Sequence, residues 1–107
     1  MAEESTDPTG LNPGRLRRLR HERDAAHDAL RGTAERLREA RSEMRELEAR
    51  QAKNAERDAA LTGADAQRLA ELQDEVAALA QYHAELQDEH RNRARLVARC
   101  EVYMEGL

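Results

Sequence analysis

The chain has 107 residues, of which 37% are charged and 2% aromatic, and it contains no Trp or Phe. This composition excludes a compact core built on aromatic side chains, and the net charge of −4 excludes a surface that is basic throughout. Leucine and alanine set among charged residues are typical of long helices joined along a narrow seam. The sequence therefore predicts an all-α coiled coil.

The N-terminal residues 1–13 carry acidic and turn-forming side chains and almost nothing apolar, so they are predicted to form a disordered acidic tail. Asn12 and Pro13 are helix-start residues, and a first coiled-coil helix is predicted over 14–61. The tail lacks the features of a signal peptide, and no apolar run is long enough for a membrane span. With Cys100 as the single cysteine, a cytoplasmic location is expected.

The first helix follows a heptad repeat, with apolar residues at the seam positions a and d, until Leu47. Beyond Leu47 the seam becomes polar, because Gln51, Asn54 and Asp58 fall on core positions. The predicted a positions are Leu16, Arg23, Leu30, Leu37, Met44, Gln51 and Asp58, and the d positions are Leu19, Ala26, Thr33, Ala40, Leu47, Asn54 and Leu61.

A turn is predicted at 62–65, where Gly63 suits the left-handed residue that ends a helix. Thr62 or Asp65 is the predicted cap of a second coiled-coil helix over 66–107. Its a positions are Leu69, Val76, His83, His90, Val97 and Met104, and its d positions are Leu72, Leu79, Leu86, Arg93, Cys100 and Leu107.

The second heptad repeat is four residues out of step with the first, which indicates either a stutter in one continuous helix or two helices joined by a turn. A parallel dimer of one long helix would place Arg23, His83 and Arg93 opposite their own copies, at a repeated cost. We therefore predict an antiparallel two-helix hairpin, in which 14–107 is a single domain.

In the predicted hairpin, facing residues have numbers that sum to about 123, which places Leu16 opposite Leu107 and Leu47 opposite Val76. A lone two-helix hairpin has little tertiary packing. Dimerisation into a four-helix bundle is therefore expected.

The C-terminal part of the second helix has an apolar face that is wider than a two-helix seam requires. This face is the predicted interface with a second copy or with another protein; contact with a membrane surface is the third alternative. Its residues are Leu96, Val97, Cys100, Tyr103, Met104 and Leu107.

Two arginine-rich stretches lie toward the ends of the predicted arms, and they give the alternative prediction of a nucleic-acid-associated accessory protein. No stacking aromatics lie among these arginines, and the chain as a whole is acidic. Both observations favour a protein partner over a nucleic acid. The possible phosphate contacts are Arg15, Arg17, Arg18, Arg20, Arg91, Arg95 and Arg99.

No arrangement of a nucleophile with a base, phosphate-binding loop or metal motif is found in the sequence, so no catalytic, cofactor or metal residue is predicted. His83 and His90 are seven residues apart, too far along one helix to share a metal. They are predicted to be seam histidines, with a pH-sensitive seam as the alternative. We therefore expect a non-enzymatic interaction, scaffold or adaptor protein.

The hairpin plan resembles the small helical-hairpin substrates of actinobacterial type VII secretion systems. Those proteins have a Trp-x-Gly turn where this chain has Leu61, Thr62 and Gly63. Their Tyr-x-x-x-acid signal is also missing, because the residue four after Tyr82 is Leu86. The resemblance implies an architecture and no function.

Overall fold

The computed structural model describes residues 13–106. Two helices make up this part of the chain, α1 (Pro13–Glu56) and α2 (Gly63–Glu105), and they are joined by residues 57–62. The predicted all-α helical hairpin is confirmed. The predicted tail, apart from Pro13, and the interface residue Leu107 lie outside the described residues.

The first helix ends at Glu56, earlier than the predicted residue 61. The Asp58 amide donates to the Ala55 carbonyl at 3.2 Å, and the Ala59 amide donates to the Asn54 carbonyl at 2.8 Å. These are the two hydrogen bonds of a Schellman motif, in which the residue after the helix is left-handed. Asp58 is that residue, with φ of 52°. The prediction that Gly63 ends the helix in this conformation is therefore wrong.

Gly63 is instead the first residue of α2. The Thr62 hydroxyl accepts a hydrogen bond from the Asp65 amide at 3.2 Å, which satisfies one of the free amides at the start of the helix. The prediction of Thr62 as a cap is confirmed. The connection consequently spans 57–62 rather than the predicted turn at 62–65.

The described chain divides into two compact units, and each contains a stretch of both helices. We call the residues from Gly32 to Ala84 the loop unit. The described residues up to Arg31, together with those from Glu85 onward, are called the terminal unit. Each unit has an apolar core of its own between its two helical stretches.

The buried residues lie on the predicted seam, since all of them are a or d positions of the two heptad repeats. Of the three polar residues assigned to the end of the first seam, Gln51 and Asp58 are exposed and Asn54 is half-buried. The seven-residue period therefore identified the buried face correctly up to Leu47. The buried residues are Leu16, Ala26, Thr33, Leu37, Ala40, Leu47, Leu69, Leu72, Leu86, Val97 and Cys100.

The pairing between the helices differs from the predicted one by about one heptad. Leu16 forms a buried cluster with Val97 and Cys100. Leu47, which was expected opposite Val76, shares a buried cluster with Leu69 and Leu72, and Val76 is only half-buried and packs against that cluster. Because α1 ends before residue 61, each of its residues meets a part of α2 that lies closer to the connection. The register built on a sum of about 123 is therefore wrong.

Within residues 13–106, neither helix is both long and apolar enough to cross a membrane.

Candidate functional site

The predicted apolar interface on α2 is divided by the fold into a buried part and an exposed part. Val97 and Cys100 are only 1% and 4% exposed, because Leu16 of α1 covers them. Met104 is half-buried and packs against the same cluster. These three side chains therefore contribute to the core of the terminal unit, and they present little surface to another molecule.

Three apolar side chains of this segment remain on the surface to different extents. Leu96 is 44% exposed, Val102 is 71% exposed, and Tyr103 is half-buried. We call Leu96, Val102 and Tyr103 the outer apolar face. Sequence reasoning missed Val102 because it falls on an outer heptad position. The signal that could have identified it is a β-branched apolar residue at a position where this chain otherwise places polar residues.

The residues of the outer apolar face are separated by two arginines. At 100° per residue, Leu96 and Tyr103 lie along one line of α2, and Arg99 and Arg95 lie between that line and Val102. Arg95 and Arg99 are exposed and form no ion pair with another described residue. The surface therefore offers apolar contacts that flank two unpaired positive charges.

The remaining predicted phosphate contacts fall into two groups. Arg20 pairs with Glu101 at 3.3 Å and Arg91 pairs with Asp88 at 3.5 Å, so both are partly neutralised. Arg15 also has an interaction within the chain. Arg17 and Arg18 are exposed on α1, and neither pairs with a carboxylate among the described residues.

Arg93 is a charged residue on the seam of the terminal unit, and carboxylates from both helices surround it. Its guanidinium donates to Glu22 of α1 at 2.6 Å and to Glu89 of α2 at 3.1 Å. Folding back therefore gives this seam arginine unlike neighbours, as the hairpin prediction expected. The contact with Glu22 also links α1 to α2 through a charge-assisted hydrogen bond.

A pair of histidines joins the two helices within the terminal unit. The ring centroids of His27 on α1 and His90 on α2 are 5.4 Å apart, with the ring planes tilted by 46°. His27 is exposed and His90 is half-buried. Sequence reasoning selected His83 and His90 because both lie on the seam. It missed His27, because His27 flanks the seam and meets His90 only through the cross-helix register.

The loop unit carries a charged cluster centred on Arg68. This guanidinium donates to Glu43 of α1, with Nη2 to Oε1 at 3.1 Å, and also lies 3.6 Å from Glu71 and 3.9 Å from Glu75. The hydrogen bond from Arg68 lowers the pKa of Glu43, and the bond to Glu43 raises the pKa of Arg68. All four groups are exposed to water to a large extent, so solvent screens the pairs.

The loop unit also contains an open groove of about 480 Å³ beside the connection. Alanines from the end of α1, the connection and the start of α2 line it, together with Leu61 and Leu69. Leu61 is half-buried and packs against the core of this unit. The groove is therefore an apolar surface of small side chains, bordered by Gln51 and Gln73.

Within residues 13–106, no three or more His, Cys, Asp or Glu side chains are grouped closely enough to hold a metal ion. Cys100 is a free, buried cysteine.

Comparisons with known proteins identified no relative of this chain. No protein-family model matches it, and no significant match to a curated protein or to a solved structure is found.

Proposed function

We propose that this protein is a non-enzymatic coiled-coil scaffold or adaptor that associates with itself and binds a protein partner through α2. The observation that carries the proposal is the exposure of Leu96 and Val102 on a helix segment whose inner side is already filled. Val97 and Cys100 satisfy the core of the terminal unit. The exposed parts of Leu96 and Val102 are therefore not needed to fill that core, and covering them by another molecule removes apolar surface from water.

The line formed by Leu96 and Tyr103 is the surface that suits a second copy. Covering the exposed part of Leu96 contributes about 1 kcal/mol, and a two-fold axis doubles this contribution. Association costs at least about 4 kcal/mol, so this contact needs additional packing between the hairpins. A four-helix bundle supplies such packing, and we expect a weak homodimer with a dissociation constant above roughly 10 µM.

The strip from Leu96 across Arg99 and Arg95 to Val102 is the surface that suits a different protein. A partner helix with apolar residues beside carboxylates would cover the apolar side chains and pair with both guanidiniums. Two copies of this chain would bring their own arginines together there, which is unfavourable.

We place the protein in the cytoplasm, because its one cysteine is buried as a thiol and fits a reducing compartment.

The proposed self-association is tested by multi-angle light scattering after gel filtration, over protein concentrations from about 5 to 500 µM around the expected dissociation constant. Leu96→Glu introduces a charge at the interface, and Ala77→Glu introduces the same charge at an exposed α2 position in the loop unit. The wild-type mass should rise toward a dimer with concentration, as should that of Ala77→Glu, whereas Leu96→Glu should remain a monomer. A wild-type monomer throughout, or a dimer unaffected by Leu96→Glu, would contradict the proposal.

The alternative function is binding of nucleic-acid phosphates, and four of the predicted phosphate contacts favour it, because they are exposed and form no ion pair with another described residue. These are Arg17 and Arg18 on α1 and Arg95 and Arg99 on α2. Fluorescence polarisation with a labelled single-stranded and a labelled double-stranded oligonucleotide at low salt tests this alternative. Binding that falls steeply with salt and disappears when all four are changed to Gln would support it. No binding at low salt would eliminate it.

A further inference from the structure

We infer that His27 and His90 form a pH-sensitive latch that keeps the terminal unit closed near neutral pH and loosens it under mildly acidic conditions. The inference is independent of self-association. It rests on the contact between the two imidazole rings, whose centroids are 5.4 Å apart. One ring belongs to each helix, so the pair exists only while α1 and α2 are packed together in this unit.

An imidazole in water titrates near pH 6.5, which makes histidine the side chain that responds to mildly acidic conditions. Above about pH 7.5 an imidazole in water is mostly neutral, and two neutral rings in contact carry no charge repulsion. At about pH 5.5 an unpaired imidazole is roughly nine-tenths protonated. Closing the unit at that pH therefore brings two positive charges together, while opening it separates them. Stability of the closed unit is thus expected to fall as the pH falls.

The other charged groups near the pair do not cancel this repulsion. On α1, Asp24 pairs with Arg23 at 3.1 Å. On α2, Asp88 pairs with Arg91 at 3.5 Å. Arg93 is shared between two further carboxylates, one from each helix, at 2.6 Å and 3.1 Å. Four of the nearby carboxylates therefore already have guanidinium partners.

The remaining groups within a helical turn of the pair are Asp28 and Arg31 on α1, and neither forms an ion pair with another described residue. Counting both helices, the stretch has four guanidiniums and five carboxylates, so a single imidazolium makes it neutral. A second imidazolium makes it positive and lies beside the first. Among the side-chain types present here, imidazole is the one whose ordinary titration range lies between pH 5.5 and 7.5.

Loosening of the terminal unit would uncover a buried apolar surface. The core of this unit consists of Leu16, Val97 and Cys100, with Leu19 and Met104 packed against it. At neutral pH these side chains contact one another, and at acidic pH a larger fraction of molecules would expose them. The latch would therefore control the fraction of molecules in which the core side chains of the terminal unit are accessible.

Cys100 provides a direct readout, because this residue is only 4% exposed and belongs to the same unit. The rate of its reaction with 4,4′-dithiodipyridine, a disulfide reagent that remains reactive in acid, follows the population of open molecules when opening is fast. The comparison is made between variants at one pH, which removes the effect of pH on the thiol itself. All buffers contain EDTA, so that a metal bound between the two imidazoles cannot contribute.

The test compares the wild type with His27→Gln, His90→Gln and His21→Gln. Two unit charges at this separation in largely aqueous surroundings disfavour the doubly charged closed unit roughly fivefold. Because the closed unit can also keep one ring neutral, the wild-type Cys100 should react about threefold faster at pH 5.5 than in His27→Gln or His90→Gln. His21 is an exposed histidine of α1 outside the pair, and His21→Gln should react as the wild type does. At pH 7.5 all four proteins should react at equal rates.

Equal rates for the wild type and His27→Gln at pH 5.5 would overturn the latch. A change of the same size at both pH values would also overturn it, because the effect would then come from packing rather than from charge. A matching effect of His21→Gln would assign the pH response to general protonation of the chain. His27 is exposed, so its replacement by Gln leaves the buried core intact and keeps the experiment interpretable.

Discussion

Replacing Asp58 by Gly should stabilise the hairpin. Asp58 has a φ of 52°, a left-handed conformation that costs a residue with a Cβ roughly 1 kcal/mol. Its carboxylate forms no hydrogen bond or ion pair with another described residue, so the substitution removes no side-chain contact. The amides of Asp58 and Ala59 would keep their hydrogen bonds to α1, because Gly is the residue that a Schellman motif prefers at this position.

The expected increase in the free energy of unfolding is about 1 kcal/mol, which corresponds to a rise in melting temperature of roughly 4–8 °C for a chain of this size. Urea unfolding followed by circular dichroism at 222 nm measures it, with all proteins at one fixed concentration. The matched control is Ala60→Gly in the same connection. Ala60 lacks a positive φ, so its replacement should lower the free energy of unfolding by about 0.5–1 kcal/mol through the unfolded chain.

The two glycine substitutions should therefore have opposite signs, although they are two residues apart. If Asp58→Gly were neutral, or destabilised the hairpin as Ala60→Gly does, the left-handed conformation at residue 58 would not carry the strain assigned to it.

Two further substitutions test the connection and the charged cluster of the loop unit. Gly63→Ala should raise the free energy of unfolding by a few tenths to about 1 kcal/mol. Gly63 lies in the first turn of α2, and an added Cβ would meet no atom within 4 Å. A loss of stability in urea unfolding would contradict the assignment of Gly63 to the helix. Glu43→Gln should be less stable than the wild type at pH 7, since the hydrogen bond from Arg68 depresses the pKa of Glu43 in the folded state below the usual 4.5. That contribution is present above pH 4.5 and is lost as the pH falls through the depressed value, so the two urea curves should converge in acid. The control is Glu46→Gln, at an exposed position without an ion pair to a described residue, and it should show no such convergence. If the stability difference between the wild type and Glu43→Gln persisted in acid, the effect would come from packing.

The sequence by itself determined which face of each helix is buried. The seam position of a residue depends only on its place in the heptad repeat and on the period of the α-helix, and both are local properties. Leu16, Leu47, Leu72 and Val97 are therefore buried as predicted. Thr62 was also predictable, because a hydroxyl at the start of a helix accepts a hydrogen bond from an amide three residues later.

The tertiary structure decided which residues face each other across the seam. A heptad repeat presents the same face after every slip of seven residues, so several registers satisfy the pattern equally well. The Schellman hydrogen bonds from Asp58 and Ala59 end α1 at Glu56. An earlier end brings Leu16 to Cys100 instead of to the end of α2. Gly63 was a plausible place for the left-handed residue from sequence, but the chain adopts that conformation at Asp58.

The same register decided which candidate residues are available for function. Val97 and Cys100 belonged to a predicted interface, and Leu16 covers them, so that Leu96 and Val102 are left on the surface. His27 meets His90 for the same reason, although the two residues are far apart in the chain. A repeat with a period of seven specifies the face that each side chain occupies on its own helix. Its partner on the other helix depends on where the chain turns, because the turn fixes how far the two helices slide past each other.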